Sequence, residues 1–321
     1  MPTENTRCLF CYEPLSAGEV DYHSRCSRQF FGTKEPPDLP FELNQMYELA
    51  NQIIRSSVSV TGVQAKLSVD VESYTQARKR KRFTIVGMWG KYVLKPPTEE
   101  YESLPENEDL TMHLADLYKL RTVPHTLVRL KSGQLAYLTK RIDRADARKL
   151  SMEDMCQLTE RLTEDKYKGS MEQVGKIIRK FSENTGFDLV EFFELTLFCF
   201  LTGNADMHLK NFSLIRSVEG LVTLAPAYDL MATKLAMPAD PEEVALTING
   251  KKRNLRRSDF EAFADTLGIN DRVRRSSFEK FAEGYESARA LVGKSFLSKS
   301  LREAYLSLFA ARSRQLGITE S

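Results

Sequence analysis

Leu201-Thr-Gly-Asn-Ala-Asp-Met-His-Leu-Lys-Asn-Phe212 closes a nearly continuous apolar run that begins at Leu189. A short apolar bridge then leads to Ala225-Pro-Ala-Tyr-Asp-Leu230. The first stretch offers Asp206 and, five positions on, Asn211; the second offers Asp229. Phosphoryl transfer asks a protein for little covalent chemistry, but it needs a carboxylate to receive a hydroxyl proton and oxygen ligands for magnesium on the phosphates. Asp206 suits the first role, and Asn211 with Asp229 suits the second, because an amide and a carboxylate hold a hard cation without trapping it. His208 and Lys210 lie between them, Lys210 as a point charge for phosphate and His208 as an orienting group. Asn and Asp also form ordinary polar turns, and the Asp-to-Asn spacing alone reads equally as one. The second aspartate, placed after a strand-turn-strand pattern (Phe212–Ile215, Gly220, Leu221–Leu224), favours the catalytic reading.

A site of this kind also needs a lobe that holds ATP, and the upstream sequence has its parts. Lys91-Tyr-Val-Leu-Lys95-Pro-Pro97 is an alternating strand that ends in a lysine, as the phosphate-pairing lysine of kinases does. An edge-strand lysine has the same appearance. Pro105-Glu-Asn-Glu108 opens a helix with proline and acids in its first turn, which places Glu108 to hold Lys95, or leaves Glu106 and Glu108 to serve the helix dipole. Ser59-Val-Thr-Gly-Val-Gln-Ala-Lys66 passes from a β-branched run through one glycine to a lysine, too few glycines for a phosphate loop by motif alone. Leu135-Ala-Tyr-Leu-Thr-Lys-Arg-Ile142 is a strand that leads into polar residues, suited to a hinge whose backbone meets adenine.

Together these blocks resemble the HipA family of bacterial toxin kinases, including its short HipT-type members. The resemblance rests on Ser59–Lys66, Tyr92–Lys95, Glu106–Glu108, Lys140–Arg144, Asn204–Phe212 and Ala227–Asp229, and spans about residues 50 to 260. It implies Asp206 as catalytic base, Asn211 and Asp229 as magnesium ligands and Lys95 on the ATP phosphates. It further implies that Thr61, Gly62, Val63, Gln64, Ala65 and Lys66 touch nucleotide, that Lys140, Arg141 and Ile142 form the hinge, and that His208, Lys210 and Tyr228 border the cofactor. Lys140 stands where a relative carries glutamate, and Ile142 where the neighbour is aromatic. Ser59 aligns with a serine that such kinases phosphorylate on themselves, and Ser57 with a second one in short members. A phosphate there would add about two negative charges beside the nucleotide loop and oppose ATP binding.

The resemblance also implies a serine/threonine protein kinase that acts as a growth-arresting toxin on an aminoacyl-tRNA synthetase and is neutralised by a helix-turn-helix antitoxin. DNA is reached only through that antitoxin. With only a cysteine-bearing segment before Glu42, the chain is expected to lack the full amino-terminal subdomain of longer relatives, so a third small protein becomes a candidate partner. A nucleotide-loaded corepressor and a small-molecule kinase are the competing readings.

Composition fits such an enzyme. The chain has 321 residues, 42% hydrophobic and 28% charged, with a net charge of +2. These values describe an ordinary globular protein and point to no particular partner. No apolar stretch is long enough to span a membrane, and Met1-Pro-Thr-Glu-Asn-Thr-Arg7 lacks a signal-peptide core, so a cytoplasmic location is expected. Five cysteines, an odd number, argue for reduced thiols rather than a disulfide framework.

Three of these cysteines form a pattern with one histidine. Cys8-Leu-Phe-Cys11 and His23-Ser-Arg-Cys26 are two close donor pairs, and a closed Cys3His set is a structural zinc site, with no position left for water. The intervening residues have few core formers, so a metal would replace the missing core; a short apolar arm with incidental cysteines has the same sequence. Cys156 and Cys199 fall on apolar helical faces and are expected to be inert.

The fold class expected is α+β: a bilobal protein-kinase-like fold with a mixed N-lobe and a mostly helical C-lobe. Its divisions are a Cys/His segment at 1–40, an N-lobe at 41–145 and a C-lobe at 146–321. The C-lobe closes with amphipathic helices at Arg257–Leu267, Arg274–Leu291 and Leu297–Leu316. Basic runs at Arg78–Arg82 and in the hairpin-like Thr247–Arg253 read as solvated charge, the latter also as cations that steer an anionic substrate.

Overall fold

The structure, a computed structural model, describes residues 6–56, 66–73, 81–86, 90–145 and 148–319. The chain forms two compact units. The first comprises residues up to Asp109 with Val123–Ile142 and Lys294–Leu297, and the second comprises Leu110–Thr122, Asp143–Gly293 and Ser298 onward.

The first unit is built on a five-stranded antiparallel sheet. Its strands are β1 (Leu67–Ser73), β2 (Lys81–Ile85), β3 (Tyr92–Lys95), β4 (His125–Arg129) and β5 (Leu135–Lys140), in the order β2-β1-β3-β5-β4. β3 is central and stops where Pro96 and Pro97 can no longer donate to a ladder, which leaves Lys95 as its last residue, paired in register with Tyr137. Two helices accompany the sheet, α1 (Ser24–Phe31) and α2 (Leu43–Ser56), and α3 (Leu104–Leu117) begins in this unit and belongs to the second from Leu110 on.

The Cys/His segment expected to stand apart at 1–40 belongs to this unit's core. Cys8, Leu9, Tyr22, Cys26, Phe30 and Phe31 bury themselves in one cluster with Leu67, Val69, Phe83 and Leu94 of the sheet. The reason is aromatic: Phe30 and Phe31 are too large for a small knuckle to cover, and their rings pack edge-on against each other, Phe31 edge-on against Phe83 and Phe30 tilted against Tyr92.

The second unit carries two small sheets. β6 (Arg144–Ala145) pairs with β7 (Arg148–Lys149), and β8 (Met152–Asp154), β9 (Ser213–Arg216) and β10 (Val222–Leu224) form the other, in the order β10-β9-β8. The helices that follow β8 are α4 (Met155–Leu158), α5 (Met171–Phe181), α6 (Thr185–Leu201), α7 (Thr233–Ala236), α8 (Arg257–Thr266), α9 (Asp271–Glu283), α10 (Tyr285–Lys294) and α11 (Lys299–Gln315). α6 begins at Thr185, a turn earlier than its apolar run, and is buried nearly all round by Phe192, Phe193, Phe198 and Phe200 among others. The span 274–291 is two helices rather than one. They part at Gly284, against which the ring of Tyr118 packs so closely that a Cβ would lie 2.4 Å from Cε1.

Candidate functional site

The polar motif after α6 is positioned by the way that helix ends. Thr202, Gly203 and Asn204 return their amides to Phe198, Phe200 and Cys199. Gly203 takes φ +68°, a left-handed turn that glycine adopts without a Cβ penalty and that swings the chain out of the helix axis. Asn204 Oδ1 then accepts the Asp206 amide at 3.1 Å, a local turn that sets the aspartate. Asp206 is half-buried, and its carbonyl accepts the His208 amide at 2.8 Å and Asn211 Nδ2 at 3.0 Å. Asp206 and Asn211 are therefore locked to each other. Because the Asn211 amide nitrogen donates to a carbonyl, its Oδ1 is the atom left for a cation.

Two hydroxyls fasten this loop to the segment that carries Asp229. Thr233 Oγ1 accepts the Ala205 amide at 2.8 Å and donates to the Gly203 carbonyl at 3.2 Å. The Tyr228 hydroxyl donates to the Lys210 carbonyl at 3.0 Å and shares a 2.6 Å hydrogen bond with Ser213 Oγ. Between them Asp229 holds φ +60°, unusual for a residue with a side chain and characteristic of functional sites. Asp206, Asn211 and Asp229 thus lie on one cross-braced pair of loops within the second unit. Tyr228 braces those loops through its hydroxyl, a structural use the sequence does not reveal.

Tyr167 is the site residue that sequence reasoning missed. Its hydroxyl donates to Asp206 Oδ1 at 2.6 Å, and its ring meets His208 edge-on with centroids 5.1 Å apart. Burial and the bond to Asp206 raise its pKa, so it stays a donor. A cavity of about 320 Å³ opens beside Asp206, lined by Tyr167, Thr233, Met237, Glu242 and Lys252. His208 is buried, and burial lowers its pKa against the raising influence of Asp206, which favours neutral imidazole. Lys210 does not stand as a lone cation: its Nζ lies 2.8 Å from Asp154, the N-cap of α4. Lys251 and Lys252 likewise pair with Asp259 at 2.7 Å and Glu242 at 3.1 Å. The Thr247–Arg253 turn is a tight Ile248-to-Lys251 bridge with two of its three cations neutralised, which removes most of the charge expected to steer a substrate.

The first unit holds the other expected residues. Lys95 is 4% exposed and Glu108, on α3, 1%; Lys95 Nζ lies 2.5 Å from Glu108 Oε1 and 5.4 Å from the centre of the Tyr137 ring. A buried charge is tolerated when paired, and this ion pair joins the end of the central strand to the helix as in protein kinases. α3 is buried around most of its surface, so Glu108 serves this pair rather than the helix dipole. Lys140 ends β5 with its ammonium 4.9 Å from the centre of the Phe30 ring, and burial lowers its pKa. Arg141 donates its amide to the Lys91 carbonyl, and the boundary between the units falls just after Ile142. Lys66 is exposed immediately before β1. Thr61, Gly62, Val63, Gln64, Ala65, Ser57 and Ser59 lie outside the described residues.

Cys8, Cys11, His23 and Cys26 converge: one ligand atom from each lies within 4.8 Å of all the others. Burial raises the pKa of Cys8, and burial with the neighbouring thiols pushes Cys26 up to about 12.

A lysine–glutamate pair on strand and helix in one unit, and Asp206, Asn211 and Asp229 on braced loops in the other, sit in a kinase-like α+β fold. The chain belongs to the HipA-like C-terminal domain family, which it matches over residues 58–289. It is 28% identical over 265 residues to a Haemophilus influenzae protein named "Putative kinase", covering 74% of this chain and 75% of that one. It is 32% identical over 216 residues to "Putative kinase Y4dM" of Sinorhizobium fredii, covering 63% of this chain and half of that one (50%). Among solved structures it is similar to Shewanella oneidensis HipA, determined with HipB and operator DNA. That likeness has a TM-score of 0.68 at 21% identity, over 87% of this chain and 72% of that one. The Helicobacter pylori proinflammatory kinase CtkA shares the fold at a TM-score of 0.52 and 15% identity, over 78% of this chain and 93% of that one. No described helix is long and apolar enough to cross a membrane.

Proposed function

We propose that this protein is an ATP- and magnesium-dependent kinase that transfers the γ-phosphoryl group to a serine or threonine hydroxyl of a protein. The observation that carries the reading is the locked Asp206–Asn211 pair beside Asp229, since it combines a proton acceptor with two hard-oxygen ligands. The donor set fits magnesium: an amide oxygen left available and a carboxylate on a constrained backbone. Bound ATP with magnesium supplies the phosphoryl group. Asp206 accepts the hydroxyl proton of the acceptor, held in position by the Tyr167 donor on Oδ1. Asn211 and Asp229 would hold the metal, and Lys95, held by Glu108 within the first unit, would be the cation for phosphate oxygens.

The likeness to HipA supports a toxin role, and an aminoacyl-tRNA synthetase as protein acceptor is what the resemblance to that family implies. The Shewanella structure, a complex with HipB and operator DNA, supports a DNA-binding antitoxin as partner. Autophosphorylation at Ser59, and secondarily Ser57, would regulate ATP entry. Calorimetric titration with ATP tests the metal roles: Asp229→Ala is expected to abolish the magnesium-dependent part of binding, and unchanged magnesium dependence would contradict them. Phosphosite mapping after incubation with ATP tests the regulation. Incorporation unchanged in Ser59→Ala would remove Ser59 as the modified residue, and binding of ATP without any transfer would favour a nucleotide-loaded corepressor.

A further inference from the structure

The kinase reading leaves the Cys/His cluster of the first unit unused, and its geometry is that of a metal centre. His23 Nδ1 lies 3.4 Å from Cys11 Sγ and 3.7 Å from Cys26 Sγ. Tetrahedral zinc with ordinary bond lengths holds sulfur and nitrogen about 3.6 Å apart and two sulfurs about 3.8 Å apart. The imidazole is already set for ligation, because Nε2 sits 2.8 Å from the Pro14 carbonyl. A carbonyl can only accept, so Nε2 carries the proton and the Nδ1 lone pair faces the thiols. This is the outer hydrogen bond typical of metal-bound histidine.

The backbone is shaped around the four donors. Cys8 and Cys11 flank a turn closed by the Tyr12 amide on the Cys8 carbonyl at 2.9 Å, and Tyr12 then takes φ +63°. His23 is the N-cap of α1 and Cys26 lies in its first turn, which places both donors at one end of the helix. We infer that Cys8, Cys11, His23 and Cys26 bind one zinc ion in a closed tetrahedral site that fixes the amino-terminal segment to the sheet.

The consequence reaches α3. The residue after Cys11 is Tyr12, fully buried, whose hydroxyl donates to Asp109 Oδ2 at 2.7 Å; the other Asp109 oxygen lies 2.9 Å from His125 Nδ1 on β4. Asp109 adjoins Glu108, the partner of Lys95. On the other side of the knuckle, Leu9 accepts from Thr126 Oγ1 at 3.2 Å, and Asp21 receives Arg129 at 2.9 Å. The metal therefore anchors a segment that grips both β4 and the helix holding the Lys95 ion pair. The metal site itself stands whether or not the chain is a kinase.

The test is elemental analysis of the full chain purified under reducing conditions and dialysed against a metal-free buffer. One zinc per chain is expected, with loss of the metal in Cys11→Ser. Substoichiometric zinc, or zinc retained in Cys11→Ser, would overturn the site. If Cys11→Ser does not yield folded protein, His23→Cys keeps four donors and replaces it. Reconstituted with cobalt, wild type should show the visible bands of tetrahedral thiolate coordination, and His23→Cys should shift them. The same spectrum in both proteins, or no such bands in wild type, would also overturn it.

Discussion

Asp206 carries one hydrogen bond through its carboxylate, from Tyr167. Under the proposed function, the second carboxylate oxygen is the one that meets the acceptor hydroxyl, and the Tyr167 bond fixes the direction in which it points. Tyr167→Phe removes about 1 kcal/mol of orientation, so a loss of up to about tenfold in kcat is expected, with ATP affinity unchanged, in steady-state kinetics. A second residue-scale effect concerns Glu106 in the first turn of α3, raised from 4.5 to about 7 mainly by burial, with Asp109 and Glu102 adding repulsion. The folded chain then binds this proton more tightly than the unfolded one. The group's contribution is full below the unfolded pKa and is lost as pH rises through about 7. Glu106→Gln should flatten that decline and stabilise the protein by about 2 kcal/mol at mildly alkaline pH, read from urea unfolding at several pH values. The placement of Asp206 and Asn211 just after α6, of Asp229 after β10 and of Lys95 at the end of β3 was legible in the sequence, because each lies in a short motif at the end of an apolar element. Tyr167, Thr233 and Asp154 were not: each is a single residue whose role is set by a contact distant in the chain, and no periodicity marks it.

At the scale of elements, α6 and β3 do the positioning, one delivering the Asp206–Asn211 loop through Gly203 and the other ending at Lys95 against two prolines. Both were readable, α6 from its apolar run and β3 from alternation. The division of the span 274–291 into α9 and α10 was not read, although it falls at Gly284, a poor helix former against which the Tyr118 ring packs. Tyr118 is 2% exposed and donates to the Phe281 carbonyl at 3.4 Å, so it has little room to yield. Gly284→Ala is therefore expected to destabilise by about 1–3 kcal/mol through overpacking, measured as a lowered urea midpoint with an unchanged slope. A midpoint equal to wild type would show that the ring can move aside.

At the scale of the whole molecule, a buried carboxylate in each unit is paired with a cation, Glu108 with Lys95 in the first and Asp188 with Arg121 in the second. Arg121 in the second unit binds Glu191 through Nε at 2.8 Å and reaches Asp188 at 3.3 Å and the Leu224 carbonyl at 3.1 Å. Asp188 is fully buried and also accepts from Ser182 and the Leu224 amide. Arg121→Met would leave two carboxylates short of their cation, and a loss of about 3 kcal/mol in unfolding free energy is expected. The α+β class and the two-part character were accessible from the order of strand and helix patterns. The fusion of the Cys/His segment with the first unit's core was not, since it depends on where Phe30 and Phe31 find partners.

The central claim is phosphoryl transfer with Asp206 as base. It is tested most directly by incubating the full chain with magnesium and ATP labelled in the γ-phosphate, comparing wild type with Asp206→Asn for label in protein. Wild type should incorporate label, and Asp206→Asn should fall by about 10²-fold or more while still binding ATP. Equal incorporation in the two proteins, or none in wild type, would contradict it.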